Sequence, residues 1–213
     1  KQGGAVGAPW AALDDPIFNL AFDSQGRLWA TTGGGPLLQL DTTTGAVLNR
    51  YGDGVTIALA VEPGTDRIFV STNGGVDIFD PRTGEFTRYS RDLDLRVGAL
   101  AFAPDGKLWA VTWPDRAQVV RFTDRARVEK MLEFDSPIDS LAFGKPNTSL
   151  ANLLFISHNA GRVSDLGTFS QKSELTAVDV TNMRQVALGR GERRRAACLA
   201  RVDVLVLILQ FRA

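Results

Sequence analysis

The tripeptide Leu20-Ala21-Phe22 returns as Leu59-Ala60-Val61, Leu100-Ala101-Phe102 and Leu141-Ala142-Phe143, at steps of 39, 41 and 41 residues (20, 59, 100, 141). A fixed period of this length constrains the fold more than any other feature. Each copy must be one supersecondary unit that hides its apolar face against the next copy. After each triplet come a turn and a second apolar stretch with a central aromatic. These stretches are Arg27-Leu28-Trp29-Ala30, Arg67-Ile68-Phe69-Val70, Lys107-Leu108-Trp109-Ala110 and Leu153-Leu154-Phe155-Ile156. The turns Ser24-Gln25-Gly26 and Pro104-Asp105-Gly106 supply the glycine that a tight hairpin needs for positive φ. A third stretch ends in a small polar turn, as in Leu40-Asp41-Thr42-Thr43-Thr44-Gly45 and Phe79-Asp80-Pro81-Arg82-Thr83-Gly84. A fourth closes each unit at 46–51, 85–90, 127–134 and 183–188. Helical periodicity is absent from this span.

Four short strands every 40 or so residues is the period of a β-propeller blade. The expected fold is therefore all-β, with four four-stranded blades over 17–188, at about 17–51, 55–90, 96–134 and 137–188. The triplet suits the innermost strand: Ala fits the crowded face, and Leu with Phe fills the gap between blades. The fourth unit carries insertions at 144–152 and 158–173, which repeat arrays place in loops on one face. A lead-in occupies 1–16. From 189 onward the pattern stops, giving a basic stretch, Glu192-Arg193-Arg194-Arg195, and then an apolar one. That change suggests a truncated or frame-altered fifth blade, and four blades suggest an incomplete or truncated ring. Open sheet edges at both ends predict self-association.

Charge and composition narrow the function. The 24 basic and 24 acidic side chains cancel, so no net field argues for nucleic acid. One cysteine, Cys198, and one histidine, His158, exclude an internal disulfide and a zinc site of the Cys/His kind. The apolar run 202–211 is shorter than the roughly 20 residues of a membrane-spanning helix and contains Asp203. The N-terminus shows neither an initiator Met nor an apolar signal core, which reads as a fragment or processed product.

The stretches Leu20-Ala21-Phe22-Asp23-Ser24-Gln25-Gly26-Arg27-Leu28-Trp29-Ala30 and Leu100-Ala101-Phe102-Ala103-Pro104-Asp105-Gly106-Lys107-Leu108-Trp109-Ala110 resemble NHL- and YVTN-type propeller repeats. They are also similar to the propellers of the virginiamycin B lyase and gluconolactonase families. The resemblance runs from about Ile17 to Leu188 and is specific for the repeat, not for a function. Propellers of this type also occur as modules of large bacterial surface proteins. With no convergent nucleophile, base or metal set in the sequence, the expectation is a non-enzymatic binding module of a larger bacterial envelope or secreted protein, extracellular or periplasmic, that takes a protein or glycan ligand on its loop face. The competing expectation is a metal-assisted lyase or lactonase on the same scaffold.

Loops after the second and fourth strands of each blade should gather at one face around the ring opening. There Asp15, Asp53, Asp94 and Asp135 recur five or six residues before each triplet. On a closed ring those carboxylates would converge and hold a hard cation, calcium or magnesium. The plainer explanation is that Asp suits turns by bonding its own backbone. His158, with Asn159 beside it, is a candidate general acid or base, or simply a solvated loop histidine. Trp29 and Trp109 share the slot of Phe69 and Phe155, which marks all four as core. Trp113 lies outside that slot, beside Asp115 and Arg116, and with Asn73 belongs among the candidate ligand contacts. Gly33-Gly34-Gly35 and Gly74-Gly75 open no helix and precede no lysine, so they are turns rather than phosphate cradles. Arg193, Arg194 and Arg195 read as a solvated cluster.

Overall fold

The computed structural model describes residues 12–90, 95–113, 117–159 and 173–186. Over these residues the chain forms fifteen β-strands and no helix. Blade 1 comprises β1 (Asn19–Phe22), β2 (Leu28–Thr31), β3 (Gly35–Leu40) and the first part of β4 (Val47–Val61). Blade 2 takes the rest of β4 with β5 (Ile68–Thr72), β6 (Gly75–Asp80) and β7 (Glu85–Arg88). Blade 3 is β8 (Val97–Phe102), β9 (Leu108–Thr112), β10 (Gln118–Asp124) and β11 (Arg127–Glu133). Blade 4 is β12 (Ile138–Phe143), β13 (Leu153–Asn159), β14 (Ser173–Asp179) and β15 (Arg184–Val186). Every neighbouring pair is antiparallel, as short hairpin connections require.

The strands form three open sheets of seven, four and four strands, where the repeat predicts four of four. The difference lies in β4. It pairs with β3 from Val47 to Tyr51 and again at Val55, as the outer strand of blade 1. It then pairs with β5 from Leu59 to Val61, as the inner strand of blade 2. Gly52 and Gly54, at φ of 61° and 73°, let the chain turn between the two roles without leaving the strand. The turn after β2 holds that bend, since Gly34 N–H donates to the Val55 carbonyl at 2.7 Å. In blade 4 the second strand runs further than the repeat indicates. His158 and Asn159 belong to β13, and Ser173 opens β14 in register with Asn159, so the insertion is shorter than 158–173.

Packing follows the logic of the repeat. Three apolar joints form between successive blades. Trp29 and Leu37 of blade 1 meet Leu59, Ile68 and Val70 of blade 2. Phe69 and Val76 of blade 2 meet Leu100, Leu108 and Val120 of blade 3. Trp109 and Val119 of blade 3 meet Leu141, Leu154 and Ile156 of blade 4. The triplet alanines Ala21, Ala60 and Ala101 lie at the joint with the following blade, and the triplet leucines at the joint with the preceding one. All four slot aromatics are buried. Phe69 meets Phe102 edge-to-face with centroids 5.0 Å apart, and Trp109 meets Phe143 likewise at 5.5 Å. Each joint leucine contributes roughly 1.5–3 kcal/mol by leaving water.

In blades 1 and 2 the hairpin between the first two strands is stapled by the acidic residue that follows the triplet. The Asp23 carboxylate accepts from the Arg27 Nε at 2.6 Å, the Trp29 indole N–H at 2.9 Å, and the backbone N–H groups of Gln25 and Arg27. Glu62 holds Arg67 at 2.7 and 3.0 Å in blade 2. Blade 3 has Ala103 there, and the Trp109 indole N–H finds no acceptor among the described residues.

Candidate functional site

The loop face is built from the turns β2–β3, β5–β6 and β9–β10, the end of β13, and the connections between blades. Three residues after each slot aromatic stand Thr32, Thr72 and Thr112. Their hydroxyls donate across the turn to the carbonyls of Pro36, Gly75 and Gln118 at 2.9, 3.4 and 3.5 Å. His158 occupies the same slot of blade 4. Its Nε2 lies 2.9 Å from the Thr176 hydroxyl and its Nδ1 lies 3.0 Å from the Ser136 hydroxyl. The ring is 6% exposed, with the Phe134 ring centroid 4.9 Å away.

The expectation of a loop histidine is therefore corrected. His158 is a buried strand residue at the joint of blades 3 and 4, because the β13–β14 ladder continues through it. Both nitrogens sit within hydrogen-bond reach of hydroxyls, so its neighbourhood is that of a turn-closing group. Ser136 and Thr176 were not singled out from sequence. The signal that reveals the group is the alignment of His158 with Thr32, Thr72 and Thr112.

The repeated carboxylates stand in different surroundings. Asp15 is paired with Arg50 at 2.6 Å, on the outer face of blade 1. Asp53 is exposed on β4 and accepts from the neighbouring Gly54 N–H at 2.9 Å. Asp135 is exposed ahead of β12, and Asp94 lies outside the described residues. Among the described residues no three His, Cys, Asp or Glu side chains gather as a metal site would need.

Trp113 remains the outlying aromatic. It follows β9 directly, its backbone N–H donates to the Arg96 carbonyl at 3.0 Å, and it is 53% exposed. Gly98 lies beneath it, and a Cβ there would stand 3.5 Å from the Trp113 Cβ and 3.8 Å from Ile57 of β4. The indole thus lies over the starts of two inner strands, beside the loop face. Asn73 is exposed in the β5–β6 turn, over which Arg88 reaches. Arg88 pairs with Asp77 at 2.9 Å. Burial pushes the Asp77 carboxyl up, against the pull of the Arg88 charge. Asp115 and Arg116 lie outside the described residues, and Asn159 ends β13.

No protein-family model and no curated relative matches the chain. Solved β-propellers do. The β-propeller domain of Cps50 (Swd1) from Myceliophteria thermophila superposes at a TM-score of 0.51 with 13% identity, over 82% of this chain and 55% of that one. Luciferin-regenerating enzyme matches at 0.50 with 16% identity, over 67% and 53%. Virginiamycin B lyase from Staphylococcus aureus matches at 0.50 with 11% identity, over 76% and 57%. The chain therefore has the β-propeller fold and spans about half the length of these propellers. Two of them are named as enzymes and one as a propeller domain, so the likeness is one of fold.

Proposed function

We propose that this chain is a non-enzymatic β-propeller binding module of a larger bacterial envelope or secreted protein, engaging a protein or glycan through its loop face. One observation carries the reading: Trp113, half-exposed beside Gly98 and Ile57, is an aromatic that the core does not use. A rigid, partly wet indole is the kind of group that anchors protein and sugar contacts. The competing reading, a metal-assisted lyase or lactonase using calcium or magnesium, needs convergent carboxylates. The described ones are dispersed, and Asp15 is committed to Arg50.

The test is isothermal titration calorimetry of the wild type and of Trp113→Ala with a panel of oligosaccharides and candidate protein partners. A ligand that quenches the wild type's fluorescence more than the variant's lies against Trp113, since Trp10, Trp29 and Trp109 are common to both proteins. Trp113→Ala is expected to weaken binding by ten- to hundredfold, about 1.4–2.8 kcal/mol, without changing the melting temperature. Equal affinity in both proteins would remove the loop face as the site.

A further inference from the structure

Blades 1 and 3 build the same feature from opposite strands. At the loop end of each blade stand the residue two before the triplet leucine and the residue four after the slot aromatic. In blade 1 these are Phe18 and Gly33, and in blade 3 they are Gly98 and Trp113, each time one aromatic and one glycine. A Cβ at Gly33 would collide with the Phe18 ring, and one at Gly98 would stand 3.6 Å from Cε3 of the Trp113 ring. Each ring thus rests against bare backbone. Neither belongs to a joint, and Phe18 is 37% and Trp113 53% exposed. Blade 2 lies between them and carries Ile57 and Asn73 at the two positions. The Gly33 N–H donates to the Thr56 carbonyl at 3.3 Å, and the Ile57 Cδ1 lies 3.8 Å from where a Cβ on Gly98 would be. The two rings therefore flank the Thr56-Ile57 step of β4 from either side. The ladders of blades 2 and 3 slip in register across Ile57 and Gly98, the kind of irregularity that re-aims a side chain beside a site.

We propose that Phe18 and Trp113 are paired stacking sites for one oligosaccharide, laid across blade 2 on the loop face. Resting on the loop-face reading, the site adds to it a ligand class and a second anchor. The groups between the rings select sugar over protein. A protein partner is anchored by a contiguous apolar patch. Here Phe18, Ile57 and Trp113 are set apart by glycine backbone and accompanied by polar groups. These are the Thr56 hydroxyl, 2.5 Å from that of Ser71, and the exposed Asn73 amide. The Arg88 guanidinium, which reaches over the β5–β6 turn, is ion-paired with Asp77. A sugar chain carries the matching alternation, with C–H faces for the aromatics and hydroxyls at its edges for the amide. Blades packed face to face stand about 10 Å apart, so rings two blades apart lie within about 20 Å. That span takes a chain of several units rather than a single sugar.

Calorimetric titration with gluco-, galacto-, manno- and N-acetylglucosamine oligosaccharides, from disaccharide to hexasaccharide, tests the paired site. In the wild type, affinity for the chain that fits is expected to rise roughly five- to tenfold as its length comes to span both rings. Phe18→Leu keeps an apolar cover over Gly33 but removes the ring, so it should abolish that rise and leave disaccharide affinity unchanged. Phe18→Trp restores a ring and should keep the rise, which a mere loss of folding would not. Equal affinities of the wild type and Phe18→Leu for every chain overturn the pairing. If Trp113→Ala still weakens those chains, the loop-face reading stands without it. Failure of every oligosaccharide to bind overturns the ligand class, and a protein ligand lost on Trp113→Ala would then leave the loop face as the site. Oligosaccharide binding indifferent to both substitutions removes both.

Discussion

Asp23 shows how much one side chain decides at the residue scale. Its carboxylate is fully enclosed and accepts four hydrogen bonds. Burial alone would raise its pKa. The bonds from the Trp29 indole and from the Arg27 backbone and side chain, with the Arg27 charge, outweigh burial and hold it below the ordinary 3.8. A carboxyl that titrates lower folded than unfolded adds stability above pH 3.8, and that stability is lost as pH falls through the folded value. Asp23→Ala is thus expected to cost about 2–4 kcal/mol at neutral pH, by orphaning the indole and the guanidinium. Urea unfolding should show the gap from wild type narrowing once the pH drops below 3.8. A pH-independent gap would deny the carboxylate this role. The sequence carries a signal for the staple, though it was not read from the repeat: an acid follows two of the four triplets, and a basic residue opens each aromatic stretch of blades 1 to 3. His158 was less legible. Its slot is filled by threonine elsewhere, and the repeat gave way to an insertion just beyond it, so the continuing strand did not show as apolar alternation.

At the scale of the element, β4 carries the main departure from the repeat. The sequence marks an outer strand at 46–51 and an inner strand from about 55, and both are present. That one strand serves two blades depends on backbone geometry at Gly52 and Gly54. A Cβ at position 52 would sit 2.8 Å from the Phe86 ring, at a φ of 61°. Position 54 has open space around it, so only its φ of 73° opposes a side chain. Gly52→Ala should therefore cost about 1–2 kcal/mol from the left-handed backbone plus a clash, and Gly54→Ala about 1–2 kcal/mol from backbone alone. Thermal melts should rank Gly52→Ala as the less stable, and the reverse order would mean that the bend lies elsewhere.

On the scale of the whole molecule, stability is a sum over joints, because each blade hides only its neighbours' faces. Blades 2 and 3 are covered on both sides, whereas the inner strand of blade 1 leaves Leu20 and Phe22 exposed, with Phe18 exposed just ahead of it. Local opening should follow that gradient. Amide exchange is expected to be fastest in β1 and slowest in β5 and β9 of the inner blades. Uniform protection across β1, β5 and β9 would argue against a stack of semi-independent blades.

Period, strand order and the core aromatics were set by the sequence alone, because a repeat with alternating strand and turn signals has one dominant way to bury itself. The Leu-Ala-Phe triplets, the aromatic slots and the hairpin glycines all report on contacts that recur with the chain's own period. What tertiary structure decided is whatever depends on a partner at no fixed sequence distance. Examples are the Asp15–Arg50 pair, the enclosure of His158 by Ser136 and Thr176, the placement of Trp113 beside Gly98, and the exposure of Leu20 and Leu175. A repeat states what each blade offers its neighbour, and only the assembled array shows which of those faces are covered.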